Sequence, residues 1–300
     1  MKLDLSLLKK LLVIDHPSKC EYPMISFIIN ECYKIGNLIF EMDDFNNIFI
    51  TKNSTNPEYY PCIVCHMDCV IPHKNKSVII NNGNIYGKDI KTGARIGLGM
   101  DDTVGICIAL QLLKVFPDIK VLFTTEEEIG FRGATEAAQN IEFFFNVSYM
   151  IQADRHGEHD LITHTNGIYS ASEQWLEKVA SVAAQYKYSE EYGLGTDVGE
   201  LAGQLGLSGV NISCGYFKEH TDQEWMSIKA TQNCLNFMEA IIKTVPLNTQ
   251  YTIDIQQAYY GYYNKINEFE YIKDSPYDYD LPCDHCQHNY DCMNCNEKFY

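Results

Sequence analysis

The stretch Thr125-Glu126-Glu127-Glu128-Ile129-Gly130-Phe131-Arg132-Gly133-Ala134 follows the apolar run Val121-Leu122-Phe123. Three consecutive acids ordinarily form a solvated face. Here they close a short β-prone run and are followed by two closely spaced glycines. That pattern reads as a buried strand delivering carboxylates at its carboxyl end. Adjacent carboxylates in such a place can divide the work: one ligates a metal ion and its neighbour accepts a proton from water.

Four other islands repeat the arrangement. Cys62-Ile63-Val64-Cys65 runs into His66-Met67-Asp68, and the glycine-rich turn Gly93–Gly99 runs into Met100-Asp101-Asp102. Tyr149–Ala153 runs into Asp154-Arg155, and Gly215-Tyr216-Phe217 leads to Glu219-His220-Thr221-Asp222. Each island is ordinary alone; an aspartate before a helix, for example, is a common cap. Together they supply two histidines, a carboxylate able to bridge, two terminal carboxylates and a spare glutamate. That inventory suits two divalent cations. In His66-Met67-Asp68 the i and i+2 side chains of a strand share a face, so the carboxylate can hold the second imidazole nitrogen. His156, His159 and His164 are nearby competitors, assigned to loop surface.

Around these islands the periodicity predicts amphipathic helices over 3–14 and 22–35, and strands over 38–42 and 48–52 about an Asp43–Asn47 turn. A buried strand follows at Cys62–Cys65, then a hairpin over 78–86 turning on Asn82-Gly83. Further on come a helix over Thr103–Val115, strands over Val121–Thr125 and 148–153, a helix over 171–186, a strand over 210–213 and a long helix over 223–244. The alternation predicts an α/β fold: a three-layer α/β/α sandwich with a mixed, largely parallel central sheet. The acids fall at the carboxyl ends of strands, where open α/β sheets place their sites.

The chain has 300 residues, 46% of them hydrophobic, enough for one sizeable core over residues 1–255. From about 256 to 300 the composition turns to tyrosine, aspartate and asparagine, which reads as an acidic C-terminal extension. A net charge of −17 argues against nucleic acid as a partner. No apolar run approaches the ~18 residues of a membrane span. The N-terminus lacks a secretory pattern, and twelve cysteines without one predict reduced thiols in a cytoplasmic protein. Cys283, Cys286, Cys292 and Cys295 have the spacing of a four-cysteine structural zinc site. A tail of free thiols is the alternative, and His285 or His288 could replace a ligand. Cys62 and Cys65 should point to opposite faces of their strand, which disfavours a shared metal.

The order His-x-Asp, Asp-Asp, Glu-Glu-x-Gly, Asp, His resembles that of the co-catalytic dizinc exopeptidases, namely the bacterial leucyl aminopeptidase, tripeptidase and tetrahedral aminopeptidase types. The resemblance spans about residues 3–244, with Glu127–Ala134 its most specific part. It implies the zinc-dependent exopeptidase fold, one ion on His66 and Asp154, and a second on Glu128 and His220, with Asp101 bridging. It also implies that Asp68 orients His66, that Glu127 is the general base, and that the Asp101–Asp102 peptide is cis. Gly195-Thr196-Asp197 is similar to a further family loop beside the site. Zinc is the expected metal, with cobalt or manganese as alternatives. The gaps 69–100 and 155–219 are too short for an inserted domain or lid. The chain should therefore be a lidless catalytic domain, nearest in plan to the leucyl aminopeptidases, with its oligomeric state left open. The expected reaction is hydrolysis of a terminal peptide bond by an aminopeptidase or a di- or tripeptidase. Removal of acyl groups from N-acyl amino acids is the near alternative. A catalytically inactive binding module, acting through the acidic tail, is the alternative of another class.

Three arginines are present, Arg95, Arg132 and Arg155, all beside the acidic islands. Arginine suits bidentate capture of a carboxylate, so Arg155 or Arg95 is a candidate for binding a substrate carboxylate. Local ion pairing is the competing reading. An aminopeptidase would instead hold the free amine with an acid such as Glu126 or Asp102.

Overall fold

A computed structural model describes residues 1–255; the C-terminal cysteines at 283, 286, 292 and 295 lie outside the described residues. The chain opens with α1 (Leu5–Leu12), α2 (Tyr22–Ile35), β1 (Leu38–Met42), β2 (Ile48–Asn53) and β3 (Tyr60–His66). It continues through β4 (Lys76–Asn81), β5 (Asn84–Asp89), β6 (Arg95–Ile96), α3 (Met100–Val115), β7 (Asp118–Thr124), α4 (Arg132–Ala137) and α5 (Ile141–Phe144). Then come β8 (Val147–Arg155), β9 (Asp160–Thr165), β10 (Ile168–Tyr169), α6 (Glu173–Tyr186), β11 (Ser189–Tyr192) and α7 (Asp197–Leu205). The series ends with β12 (Gly209–Ser213), β13 (Tyr216–Phe217), β14 (Trp225–Ser227) and α8 (Ile228–Thr244).

Nine strands form one sheet in the order β1-β2-β7-β3-β8-β12-β9-β10, with β11 beside β9. Its centre, β7-β3-β8-β12, is parallel, and antiparallel strands flank it on both sides. The central strands are buried along nearly their whole length and mostly apolar, as befits strands covered on both faces. Alternate residues feed opposite layers. Ile63 and Cys65 join the core shared with α1, α2, α3, α6 and α8, whereas Cys62 and Val64 join the core under α4, α5 and α7. Cys62 and Cys65 thus face opposite sides, as strand alternation requires. The expected three-layer α/β/α architecture is therefore present.

A second, five-stranded sheet runs β13-β14-β5-β4, with β6 beside β5. Its β4–β5 hairpin turns on Asn82-Gly83 and occupies the gap between the first two acidic islands. The 155–219 segment carries core strands and helices. Among the described residues neither gap holds a separate lid or inserted domain. The second sheet also revises one expected element: the last helix begins at Ile228, not at residue 223. Trp225 and Met226 pair with Tyr86 and Ile85 in β14, Trp225 stacks on Phe217, and Ser227 Oγ caps the helix through the Ala230 amide. No described helix is long and apolar enough to cross a membrane.

Helix α3 is buried on nearly all sides. At its start Asp101 and Asp102 have non-helical ψ values of 111° and 30°, so the regular helix begins at Thr103. Gly105 lets the helix meet the site closely: a β-carbon there would lie 2.1 Å from Asp102 Oδ1 and 2.9 Å from the Ala153 carbonyl oxygen. Alanine is the better helix former, by ~1 kcal/mol at an unconstrained position. Against that preference, Gly105→Ala is expected to destabilise the protein by about 1–3 kcal/mol through overpacking. Urea denaturation checks the sign; a stabilised variant would show that the contact is slack.

Candidate metal centre

Parallel strands release their carboxyl ends at one edge, and three of the five islands lie on neighbouring strands. His66 ends β3 opposite Thr124 of β7, and Val64 lies opposite Gln152 of β8, two residues before Asp154. Glu126, Glu127 and Glu128 follow β7 directly. Asp101 enters at the start of α3, and His220 comes from the loop between β13 and β14.

The five residues converge. His66 Nε2 lies 2.9 Å from Asp101 Oδ1 and 3.4 Å from Asp154 Oδ1. His220 Nε2 lies 3.3 Å from Asp101 Oδ2 and 3.0 Å from Glu128 Oε1. Asp101 thus turns one carboxylate oxygen to each histidine, and each histidine faces a second carboxylate of its own. Two groupings compatible with a cation fall here: His66 with Glu127 and Glu128, and Asp101 with Glu128 and His220. A third groups Asp102 with His66 and Asp154. The hydrogen bonds disfavour Asp102 as a ligand, because its oxygens accept from the His66 and Gly105 backbone amides at 3.2 and 3.1 Å. The same burial removes Asp102 as a holder of a substrate amine.

Buried polar groups surround this core. His66 Nδ1 faces the Asp68 carbonyl oxygen at 3.1 Å and Asp68 Oδ1 at 3.3 Å. The Asp68 carboxylate also accepts from the amides of Glu127 (3.0 Å) and Glu128 (3.2 Å) and from the Ser18 hydroxyl (2.7 Å). It therefore ties His66 to the glutamate loop. Asp154 is held by the Gln152 amide at 3.1 Å and the Tyr216 hydroxyl at 3.3 Å. His16 Nδ1 meets the Met67 carbonyl at 2.9 Å while its Nε2 meets Thr103 Oγ1 at 3.2 Å, bracing two islands from behind. Burial, with help from Lys76, lowers His16 to about 3, so this ring is a neutral brace.

The electrostatics are those of a cation site. Among the described residues, no lysine or arginine pairs with Asp68, Asp101, Glu128 or Asp154; their ion pairs are with His66 and His220. Burial opposes ionisation of Asp101, but His220 and His66 hold it well below the ordinary range. Burial and the Asp101 charge push Asp154 well up, and they raise Glu128 as well. Burial holds Glu127 well above the usual carboxylate range. So many buried carboxylates with so little protein counter-charge fit bound divalent ions, and the nitrogen and oxygen donors suit zinc, cobalt or manganese.

Backbone conformation marks the same place. The Asp101–Asp102 peptide is cis, and Glu126, Phe131 and His220 have positive φ of 52°, 55° and 58°. Non-glycine residues adopt that region where the surroundings impose it, often at functional sites. Gly195 lies against the Phe131 ring, and Asp197 receives the Thr124 hydroxyl, so the 195–197 loop borders the site.

The arginines lie near the centre but are engaged elsewhere. Arg95 Nη2 donates to the carbonyls of Gln223 and Glu224 at 3.2 and 3.1 Å and its guanidinium covers the Tyr86 ring. Arg155 pairs with Asp160 at 3.2 Å, and Arg132 pairs with Glu126. His156 pairs with Glu219 at 2.6 Å rather than joining the centre. Ser18, His16, Tyr216 and Glu224 were not anticipated. Tyr216, in the run before the last island, and Glu224, two residues past its end, lie next to a recognisable motif; Ser18 and His16 do not.

Fold and site together define a metallohydrolase built on a three-layer α/β/α sheet. The family model described as M42 glutamyl aminopeptidase matches residues 87–237, half of the chain, and the protein belongs to that family. It is a metal-dependent exopeptidase, and its substrates are peptides. No curated protein sequence matches the chain. Among solved structures, the aminopeptidase PepT of Bacillus cereus ATCC 10987 is similar at 16% identity and TM-score 0.65, over 80% of this chain and 97% of that one. A tripeptidase of Staphylococcus aureus subsp. aureus Mu50 is similar at 17% identity and TM-score 0.64, over 80% and 98%. The TET1 peptidase of Pyrococcus horikoshii, described as assembling into a tetrahedron or a large octahedral shell, is similar at 16% identity and TM-score 0.61, over 79% and 98%. At these identities the likeness is one of fold.

Among protein groups alone, burial pulls the His220 imidazole down, but its hydrogen bonds to Asp101 and Glu128 raise it to about 11. A raised histidine contributes stability that is complete below its unfolded value of ~6.5. That contribution fades as pH climbs through about 11. In protein stripped by chelator, the His220 ring should stay protonated from pH 7 to 9 by NMR. A ring titrating near its ordinary value would show that the carboxylates do not engage it.

Proposed function

We propose that the centre is dinuclear, with His66 and Asp154 holding one divalent ion, Glu128 and His220 holding the other, and Asp101 shared between them. The observation that carries this reading is the Asp101 carboxylate, 2.9 Å from His66 on one oxygen and 3.3 Å from His220 on the other. Zinc is the proposed metal. Bound divalent ions supply Lewis acidity toward a substrate carbonyl and make water acidic enough to deprotonate near neutral pH. The remaining work falls to side chains. Glu127 carries no ion pair among the described residues and stands beside His66 and Glu128, with its backbone amide fixed by Asp68. Its carboxylate takes the proton of the attacking water and delivers it to the departing amine. Burial suits it to that exchange, because a carboxyl raised toward neutrality both accepts and returns a proton.

The proposed reaction is removal of residues from the amino end of short peptides, as the description of the family suggests. Both candidate arginines have local partners, which supports amino-end recognition over capture of a substrate carboxylate. Residues 1–255 are proposed as the catalytic domain and 256–300 as an extension that binds one structural zinc. Cys32, Cys62, Cys65, Cys69, Cys107, Cys214 and Cys234 are buried free thiols, which suits a reducing compartment, and cytoplasmic location is proposed on that ground.

Elemental analysis of untagged protein should give three zinc ions per chain, about one fewer when Cys283 and Cys286 are serine, and one or none in the catalytic domain of Asp101→Ala. Glu127→Gln should keep its metal while kcat on aminoacyl anilides and on di- and tripeptides drops ~10²–10⁴-fold, the usual worth of a general base. Hydrolysis of N-acetyl amino acids in preference to free-amine substrates would replace the peptidase with a deacylase. A full-length protein that retains no divalent ion after zinc is restored and excess removed would sink the dinuclear reading.

A further inference from the structure

Glu224 is a buried carboxylate, 2% exposed, that makes no ion pair among the described residues and faces only backbone amides of another segment. Its Oε2 accepts from the amides of Leu98 and Gly99 at 2.6 and 3.0 Å, and its Oε1 accepts from the amide of Met100 at 2.9 Å. Those three residues immediately precede Asp101. Glu224 itself lies four residues after His220, in the loop that carries that histidine. One side chain therefore joins the backbone leading to one proposed ligand with the loop bearing another.

The connection is reinforced from both ends. Arg95, at the start of the same turn, donates back to the carbonyls of Gln223 and Glu224. The Gly97 amide points to Asp222 Oδ1 at 3.4 Å. Strand β14, which begins at Trp225, pairs with β5, and β5 pairs with β6, which begins at Arg95. The small sheet thus fixes the roots of both loops, and the carboxylate fixes their tips. Gly97 lets the two segments approach closely: a β-carbon there would stand 3.0 Å from the Thr221 carbonyl oxygen.

We infer that Glu224 is a positioning residue that sets the spacing of Asp101 against His220 and thereby makes the second ion site. This inference rests on the dinuclear reading above. A carboxylate offers acceptors on both oxygens, whereas an amide offers one oxygen and one donor. In Glu224→Gln the amide oxygen can keep the Leu98 and Gly99 pair, but the NH2 then faces the Met100 N–H. The donor–donor clash falls one residue before Asp101. Glu224→Asp keeps two acceptor oxygens on a shorter arm and so serves as the conservative variant.

The test compares wild type, Asp101→Ala, Glu224→Gln and Glu224→Asp for zinc content, zinc affinity by chelator competition, kcat and KM. Thermal unfolding and circular dichroism establish that each variant is folded. The expected result for folded Glu224→Gln is a second-site zinc affinity lowered ~10–100-fold, with the first ion retained, as for loss of groups that orient ligands. Its kcat should fall in proportion at limiting zinc, recover toward wild type at saturating zinc, and leave KM within about threefold; Glu224→Asp should lie between the two. Amide exchange of Leu98, Gly99 and Met100 in stripped protein gives a readout free of metal and activity, and it should quicken in Glu224→Gln. Folded Glu224→Gln with wild-type zinc affinity, or with unchanged exchange at those amides, overturns the inference. Wild type holding a single catalytic ion, no different from Asp101→Ala, overturns the dinuclear reading instead.

Discussion

The constraint on which the structure depends is one carboxylate placed between two imidazoles. Asp101 must present an oxygen to His66 and an oxygen to His220, although one histidine ends a central strand and the other rides a loop of the second sheet. Three parallel strands at adjacent positions bring His66, Glu128 and Asp154 to a common edge. That geometry follows from parallel pairing itself, because every strand of such a sheet ends on the same side. It cannot supply Asp101, which arrives from the beginning of a buried helix with two non-helical residues before the first regular turn.

A centre so rich in buried carboxylates should repel itself apart, and the fold counters this with backbone amides in place of lysines and arginines. Asp68 takes the amides of Glu127 and Glu128, Asp102 takes those of His66 and Gly105, and Glu224 takes those of Leu98, Gly99 and Met100. Each supporting acid binds the backbone beside a different island, so the acids hold the islands in register while meeting their own need for donors. The residues with the fewest such donors are those facing the histidines: Asp101, Asp154 and the Glu128 carboxylate. Their remaining lone pairs converge where cations fit. Protein cations are kept out of this space; Arg95, Arg132 and Arg155 all turn toward partners of their own.

Much of this was legible in the chain. Mostly apolar runs of three to five residues, leading into His66, the Glu126–Glu128 acids and Asp154, located β3, β7 and β8 and their carboxyl ends, because strands buried on both faces are largely apolar. The candidate ligands are named from the resemblance of their types and order to the dizinc exopeptidase pattern. What escaped was of two kinds. The small sheet uses strands of two or three residues, β6, β13 and β14, too short to show any alternation, so 223–227 was absorbed into the helix that follows. The supporting side chains were also invisible, since their partners lie far off in sequence: His16 reaches Met67 and Thr103, Ser18 reaches Asp68, and Glu224 reaches back over more than a hundred residues to Met100. Motif reading finds groups that act on a substrate because those need particular chemistry. A residue that only holds backbone amides can be any buried acceptor, so its identity carries little signal.

The two sheets divide the centre between them, and this explains how so short a chain can build it. The large sheet fixes His66, Glu128 and Asp154 by strand register. The small sheet anchors both ends of the loop carrying His220 through β13 and β14, and it anchors the turn before Asp101 through β5 and β6. Ile85, Tyr216 and Met226 of the small sheet pack into the main hydrophobic core, and polar contacts cross the divide from His220 to Glu128 and Asp101 and from the Tyr216 hydroxyl to Asp154. The apolar packing is shared among many weak contacts, no single one of which sets the geometry. The polar groups are few and directional, so the spacing of the candidate ligands depends on individual hydrogen bonds. A hairpin and three very short strands thus carry both the loop of His220 and the turn before Asp101.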